Sequence, residues 1–164
     1  DAEGLQAGIN ASIAPDIGFK LDAKRMKTEE IKFKTAPLPD ASSSTTPTGN
    51  AEQFQLVYYG PGNQYKPHFD AFDKRTEEGQ KNWFPGGQRM VTALAYLNDV
   101  EEGGETDFPD INVSVKPNKG DVVVFHNCIE GTTEINPNVL HGGSPVISGE
   151  KWAVNLWFRE SAIY

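Results

Sequence analysis

The chain has 164 residues, about one domain's worth, and 37% of them are hydrophobic, enough for one core and too many for wholesale disorder. Fifteen lysines and arginines against 23 aspartates and glutamates give a formal net charge of −8, which argues against a nucleic-acid partner. No stretch approaches about 18 uninterrupted apolar residues, so no membrane span is expected, and the first residues lack a signal-peptide pattern, which favours the cytoplasm. The one cysteine, Cys128, excludes an internal disulfide and cysteine-based zinc knuckles, leaving His68, His126 and His141 as the nitrogen donors.

Residues 1–50 differ from the rest. Residues 20–34 are charge-rich, and residues 35–50 (TAPLPDASSSTTPTGN) hold three prolines and a Ser/Thr cluster. Such a stretch cannot build a core, so residues 1–50 are expected to form a short, less regular N-terminal extension packing on the main domain. Residues 51–164 form the expected main domain, read as short strands punctuated by Gly/Pro turns. Residues 53–59 alternate, with Phe54, Leu56 and Tyr58 on one face. Residues 73–87 (DKRTEEGQKNWFPGG) show no periodicity and are expected to be a long polar loop, with Trp83 and Phe84 as an aromatic anchor or part of a lid. Residues 89–97 place Thr92, Leu94 and Tyr96 opposite Val91, Ala93 and Ala95. Glu101 and Glu102 read as a solvated turn; Ile111, Val113 and Val115 alternate; residues 121–126 (DVVVFH) suit a strand buried on both sides. In residues 151–159, Trp152, Val154, Leu156 and Phe158 face one way, and Lys151, Ala153, Asn155, Trp157 and Arg159 the other. Short strands at this spacing predict a mainly β sandwich or barrel, and no phosphate-binding glycine loop is present.

Chemistry concentrates in His68-Phe69-Asp70. On an extended chain residues i and i+2 project to one side, so one imidazole and one carboxylate can share a metal. A further ligand has to come from far along the chain, and His141 lies 73 residues on. Two histidines and a carboxylate on one face of an octahedral metal leave positions open, the arrangement of non-haem Fe(II) oxygenases. Taken singly, His68 reads equally well as a loop histidine and His141 as a histidine in a glycine-rich turn. Lys151 shifts the balance: its strand parity puts it on the face expected to line the interior, where a lysine needs an anion. A dicarboxylate chelating the metal at one end would supply that anion at the other.

The segments LVYYGPGNQYKPHFD, GGQRMVTALAYLNDVEEGGETDFP, VKPNKGDVVVF and LHGGSPVISGEKWAVNLWFR, from Glu52 to Arg159, resemble the prolyl 4-hydroxylase type of Fe(II)- and 2-oxoglutarate-dependent dioxygenase. The resemblance implies a double-stranded β-helix (a cupin-like jelly-roll) in which His68, Asp70 and His141 bind Fe(II) and Lys151 binds the far carboxylate of 2-oxoglutarate. It also implies that Tyr59, Tyr96 and Thr106 line or contact the cosubstrate pocket, and that Tyr65, Arg89 and Trp157 border a peptide groove. A lysine at this position points to the collagen-type and bacterial-type enzymes, because oxygen-sensing prolyl hydroxylases, lysyl hydroxylases and nucleic-acid demethylases generally carry arginine. Were His126 the distal ligand, the lysine would have to stand at position 136, which is Asn136, and the family has an aromatic residue where His126 stands; His126 is therefore a packing residue and Cys128 a bystander. Arg159 occupies a position where some relatives have histidine. The implied reaction hydroxylates a proline in a peptide or protein substrate, converting 2-oxoglutarate and O₂ to succinate and CO₂, with ascorbate as reductant. The alternatives are the same chemistry on another side chain or a free amino acid, and a non-catalytic cupin-like metal-binding module.

Overall fold

The computed structural model describes residues 48–163. The extension expected over residues 1–50 therefore lies outside the described residues, apart from a single 3-10 turn at Thr48–Asn50. Ten strands follow: β1 (Gln55–Tyr59), β2 (Tyr65–His68), β3 (Arg89–Tyr96), β4 (Glu102–Gly103), β5 (Thr106–Phe108), β6 (Val113–Val115), β7 (Val122–His126), β8 (His141–Gly143), β9 (Val146–Ser148) and β10 (Lys151–Arg159). One helix, α1 (Glu77–Trp83), interrupts them between β2 and β3.

Two four-stranded sheets, ordered β1-β10-β3-β7 and β2-β8-β5-β6, are antiparallel throughout, and β4 pairs separately with β9. Leu94 and Tyr96 of β3, Val123 and Phe125 of β7 and Ala153 of β10 pack with Phe108 of β5 and Val113 and Val115 of β6, so the main core lies between the two sheets. This is the expected mainly β, double-stranded β-helix. The opposite parity of β3, β7 and β10 forms a second buried cluster, with Val91, Ala93, Ala95, Val122, Leu156 and Phe158. Strands β3 and β7 are thus apolar on both faces because both faces are covered, as the near-continuous apolar run of β7 requires.

Two local expectations change, and β1 gains a direction. The shared face of Phe54, Leu56 and Tyr58 is the outward one: all three are exposed, and the Tyr58 ring meets Trp152 at a tilt with centroids 4.7 Å apart. The inward face carries Gln55, Val57 and Tyr59, which line a cavity, and Val57 also packs against the main core. Ile111 belongs to a 3-10 turn, Pro109–Ile111, and β6 begins only after the left-handed Asn112 (φ 53°). Residues 73–87 are not a featureless loop but contain α1. The Thr76 hydroxyl accepts from the Gly79 amide at its start, Glu77 and Glu78 occupy the first turn and Lys81 the last, so caps and dipole-matched charges form the helix without an apolar period. Gly79 is needed there, because a Cβ would meet the Asp73 carbonyl oxygen at 1.9 Å.

Candidate active site

The antiparallel pairing of β2 with β8 sets His68 directly opposite His141. Only glycine fits beside this pair: a Cβ on Gly142 would lie 2.8 Å from the Tyr65 carbonyl oxygen. Asp70 follows β2 by two residues and reaches both imidazoles, with His68 Nε2 3.4 Å from Oδ1 and His141 Nε2 3.7 Å from Oδ2. One donor atom from each of the three lies within 4.8 Å of the others, the sole such group of histidine, cysteine and carboxylate residues among the described residues. His126 ends β7 half-buried and outside this group.

Each imidazole is held from behind. Nδ1 of His68 lies 3.0 Å from the Lys66 carbonyl oxygen and Nδ1 of His141 2.9 Å from that of Val139. A proton on Nδ1 donated to each carbonyl leaves the Nε2 lone pairs facing Asp70, the tautomer a metal requires. The His141 ring is further fixed by Phe125 and Phe108, at centroid distances of 4.7 and 5.6 Å. Burial pushes the His141 pKa down, whereas His68 is raised: burial opposes its charge, but its contacts with Asp70 and the Lys66 carbonyl prevail.

Asp70 is buried, which would raise its pKa, yet His68, the charge of His141 and Thr92 together hold it down at about 2. Thr92 Oγ1 donates to Oδ2 at 2.6 Å and accepts from Asn127 Nδ2 at 2.9 Å, so an Asn127–Thr92–Asp70 chain aims the carboxylate. The Trp157 indole lies close enough to help hold Asp70 down, although its N–H completes no well-formed hydrogen bond among the described residues.

Lys151, first residue of β10 and 4% exposed, opens onto the same cavity of about 840 Å³ as the three donors. Its Nζ donates to the Gly104 carbonyl at 2.6 Å and approaches Thr106 Oγ1 at 3.4 Å. No described carboxylate comes within ion-pair distance of it, and burial lowers its pKa to about 8. Thr106 accepts from Tyr96 Oη at 2.8 Å as well, leaving its own proton available to the cavity. Tyr96 is buried behind Thr106 and reaches the cavity through it, while Tyr59 stands in the wall with its ring 5.8 Å from Nζ.

Tyr65, Arg89 and Trp157 line the same cavity, Tyr65 exposed and Trp157 buried close to Asp70. The Tyr65 ring meets His68 edge-on at 4.5 Å, and the Arg89 guanidinium lies 3.8 Å over the Trp157 ring. Glu52, which no motif marked, grips Arg89 through two 2.8 Å hydrogen bonds and Arg159 through a third at 3.1 Å. Thr92 is a further ligand neighbour that the motifs did not single out, and the available signal was its parity on the inward face of β3; Phe84, expected as part of an aromatic anchor or lid, lines the cavity. Cys128 is buried, and burial raises its thiol pKa to about 11, an inert thiol.

A jelly-roll that gathers two imidazoles, a carboxylate and a buried lysine in one cavity has the donors for a metal and for a dicarboxylate. Residues 54–159 match the family model described as the 2OG-Fe(II) oxygenase superfamily, and the chain belongs to that family. It is 42% identical over 114 residues to a putative prolyl 4-hydroxylase of Acanthamoeba polyphaga mimivirus, a match covering 70% of this chain and 47% of that protein. It is 39% identical over 146 residues to the probable prolyl 4-hydroxylase 3 of Arabidopsis thaliana, covering 77% of this chain and 49% of the relative. The chain thus spans about half the length of these curated relatives. Among solved structures it is similar to the viral collagen prolyl hydroxylase of Paramecium Bursaria Chlorella virus-1 in its 2OG complex, with a TM-score of 0.58, 37% identity and coverage of 67% of this chain and 59% of that one. Fe(II) and 2-oxoglutarate are the groups the family's description names, and the donor set fits both: neutral imidazoles and a carboxylate for the metal, an unpaired ammonium for a dicarboxylate.

Proposed function

We propose that the chain carries the catalytic domain of a peptidyl-prolyl 4-hydroxylase, in which His68, Asp70 and His141 hold Fe(II) and Lys151 holds the far carboxylate of 2-oxoglutarate. The observation that carries this reading is the Lys151 ammonium, buried without a described carboxylate partner in the cavity that the His-Asp-His group closes. Its being a lysine, not an arginine, supports the collagen-type and bacterial-type branch within the family. The relatives named prolyl 4-hydroxylases, alike at about 40% identity, support proline as the target.

Bound Fe(II), with 2-oxoglutarate and O₂, supplies the oxidising chemistry that hydroxylates a C–H bond and releases succinate and CO₂. The protein's residues bind and orient. Asp70, its pKa held down at about 2, is a carboxylate at neutral pH. The Lys66 and Val139 carbonyls keep both imidazoles turned toward the metal. Lys151 and the Thr106 hydroxyl converge on the end of the cavity where a carboxylate would sit, fixing the cosubstrate's orientation. Tyr65 offers a peptide an exposed aromatic ring, backed in the cavity wall by Arg89 layered on the buried Trp157. Ascorbate would serve as the reductant for iron held there.

The test is an anaerobic titration with Fe(II) and 2-oxoglutarate, read as the visible charge-transfer band of the chelate, followed by O₂ and a panel of proline-containing peptides. The expected result is the band, then succinate and a proline that has gained one oxygen. Succinate formation with no oxygen on any proline would move the assignment to another side chain or a free amino acid. Absence of the band would remove the metal and cosubstrate assignments together.

A further inference from the structure

Residues 72–88 leave the barrel just after Asp70 and return to it at β3, and two polar side chains close them. At the base is Gln88, fully buried: its Oε1 accepts from the Phe72 amide at 2.7 Å, and its Nε2 donates to the carbonyls of Phe72 at 3.0 Å and Thr133 at 3.2 Å. At the far corner is Arg159, the last residue of β10, 8% exposed. Helix α1 ends without a left-handed cap, since Phe84 is extended (φ −107°, ψ 137°), so its last carbonyls need other donors. Arg159 supplies them: Nη2 donates to the carbonyls of Asn82 (2.8 Å), Trp83 (3.1 Å) and Gly87 (2.6 Å), and Nε to that of Gly87 (3.0 Å). Its remaining nitrogen, Nη1, reaches Glu52 at 3.1 Å, and Glu52 in turn holds Arg89.

Between the clamped carbonyls stands Phe84, 85% exposed at the cavity mouth. A phenyl ring held in water contributes nothing to the fold, and it becomes useful only when something apolar covers it. We propose that Arg159 is a positioning residue for substrate: it locks the corner of residues 82–87 so that Phe84 is presented, preformed, to the peptide entering beside Arg89 and Trp157. This rests on the peptide-substrate reading above. A lysine at 159 would not serve, because a single ammonium cannot fork to three carbonyls and a carboxylate at once.

Two measurements on the full chain test this: amide hydrogen exchange over residues 82–87, and separate KM values for peptide and 2-oxoglutarate. The Gly87 amide, which donates to the Trp83 carbonyl at 2.9 Å, is the local reporter. Arg159→Lys is expected to speed exchange at this corner and raise the peptide KM about tenfold, the loss of one charge-assisted hydrogen bond's worth of ordering, while the 2-oxoglutarate KM moves less than about twofold. Phe84→Ala, at an exposed site that folding does not need, is expected to raise the peptide KM and leave exchange as it was. Unchanged exchange in Arg159→Lys, or faster exchange with a wild-type peptide KM, overturns the proposal. So does a wild-type peptide KM in Phe84→Ala, should the lysine variant not fold. A protein that converts no proline-containing peptide overturns the substrate reading, whereas the exchange comparison uses no peptide and still decides the clamp.

Discussion

Replacing Thr92 by valine removes one hydroxyl and almost no volume, and it should weaken metal binding although Thr92 is no ligand. Its hydroxyl has a single proton, and the 2.6 Å contact to Asp70 Oδ2 takes it; the 2.9 Å contact from Asn127 uses a lone pair. Thr92 is 1% exposed, so no water can replace the hydroxyl in valine's place. A hydrogen bond to a charged group is worth about 1.5–3 kcal/mol net, which corresponds to roughly a ten- to hundredfold change in affinity if it orients the carboxylate for the metal. Outer partners of metal ligands independently show losses of about 10–100-fold, so the two estimates agree. The variant also strands the Asn127 amide, at a further cost of about 1–3 kcal/mol in folding stability. Anaerobic calorimetric titration with Fe(II) is the assay, with circular dichroism to establish folding and Thr92→Ser as the control that restores the hydroxyl. A folded valine variant binding Fe(II) within twofold of wild type, or a serine variant no better than valine, would refute the reasoning.

Other substitutions separate the two ends of the cavity. His141→Ala should abolish the Fe(II)–2-oxoglutarate band in an anaerobic titration, because the remaining His68 and Asp70 cannot hold one face of the metal. Lys151→Ala should weaken 2-oxoglutarate about a hundredfold while Fe(II) titrates as in wild type, since a buried charge-assisted pair is lost and the metal ligands are untouched. In the wild type, 2-oxoglutarate affinity should be constant at neutral pH and fall as pH rises through about 8, where the buried lysine, its pKa lowered from 10.5, gives up its proton. The slope should approach about tenfold per pH unit and be missing from Lys151→Ala, as measured by isothermal titration across the range.

How far the chain could be read in advance depended on periodicity and on length. Strand β10 was legible in full: a period of two placed Lys151, Ala153, Asn155, Trp157 and Arg159 on one face, and all five line the cavity. The pairing of His68 with His141 was not, because register between strands is a tertiary fact that spacing along the chain does not carry. In β1 the period of two was legible, but which face turns inward was not: on an edge strand beside a polar cavity the inward positions go to Gln55, Val57 and Tyr59. Helix α1, seven residues long, is too short for an amphipathic period and announced itself only through Thr76, Glu77, Glu78 and Lys81. Glu52 and Thr92 act through partners 37 and 22 residues away, and local pattern holds no trace of such contacts.

The opposition of His68 and His141 has a mechanical side. Between β2 and β8 the ladder is irregular, registering at Tyr65 with Gly143 and again at His68 with His141, with a shift between them. An ion held by both imidazoles would be a cross-link joining chain segments 73 residues apart at a point where the backbone ladder is irregular. Loading is then a stability event as well as a catalytic one: at a hundredfold excess over Kd, a ligand that binds only the folded state adds about 2.7 kcal/mol. The melting temperature of the protein therefore reports its metal occupancy directly, and apo and loaded molecules should differ in their survival of heat and proteases before any substrate is present.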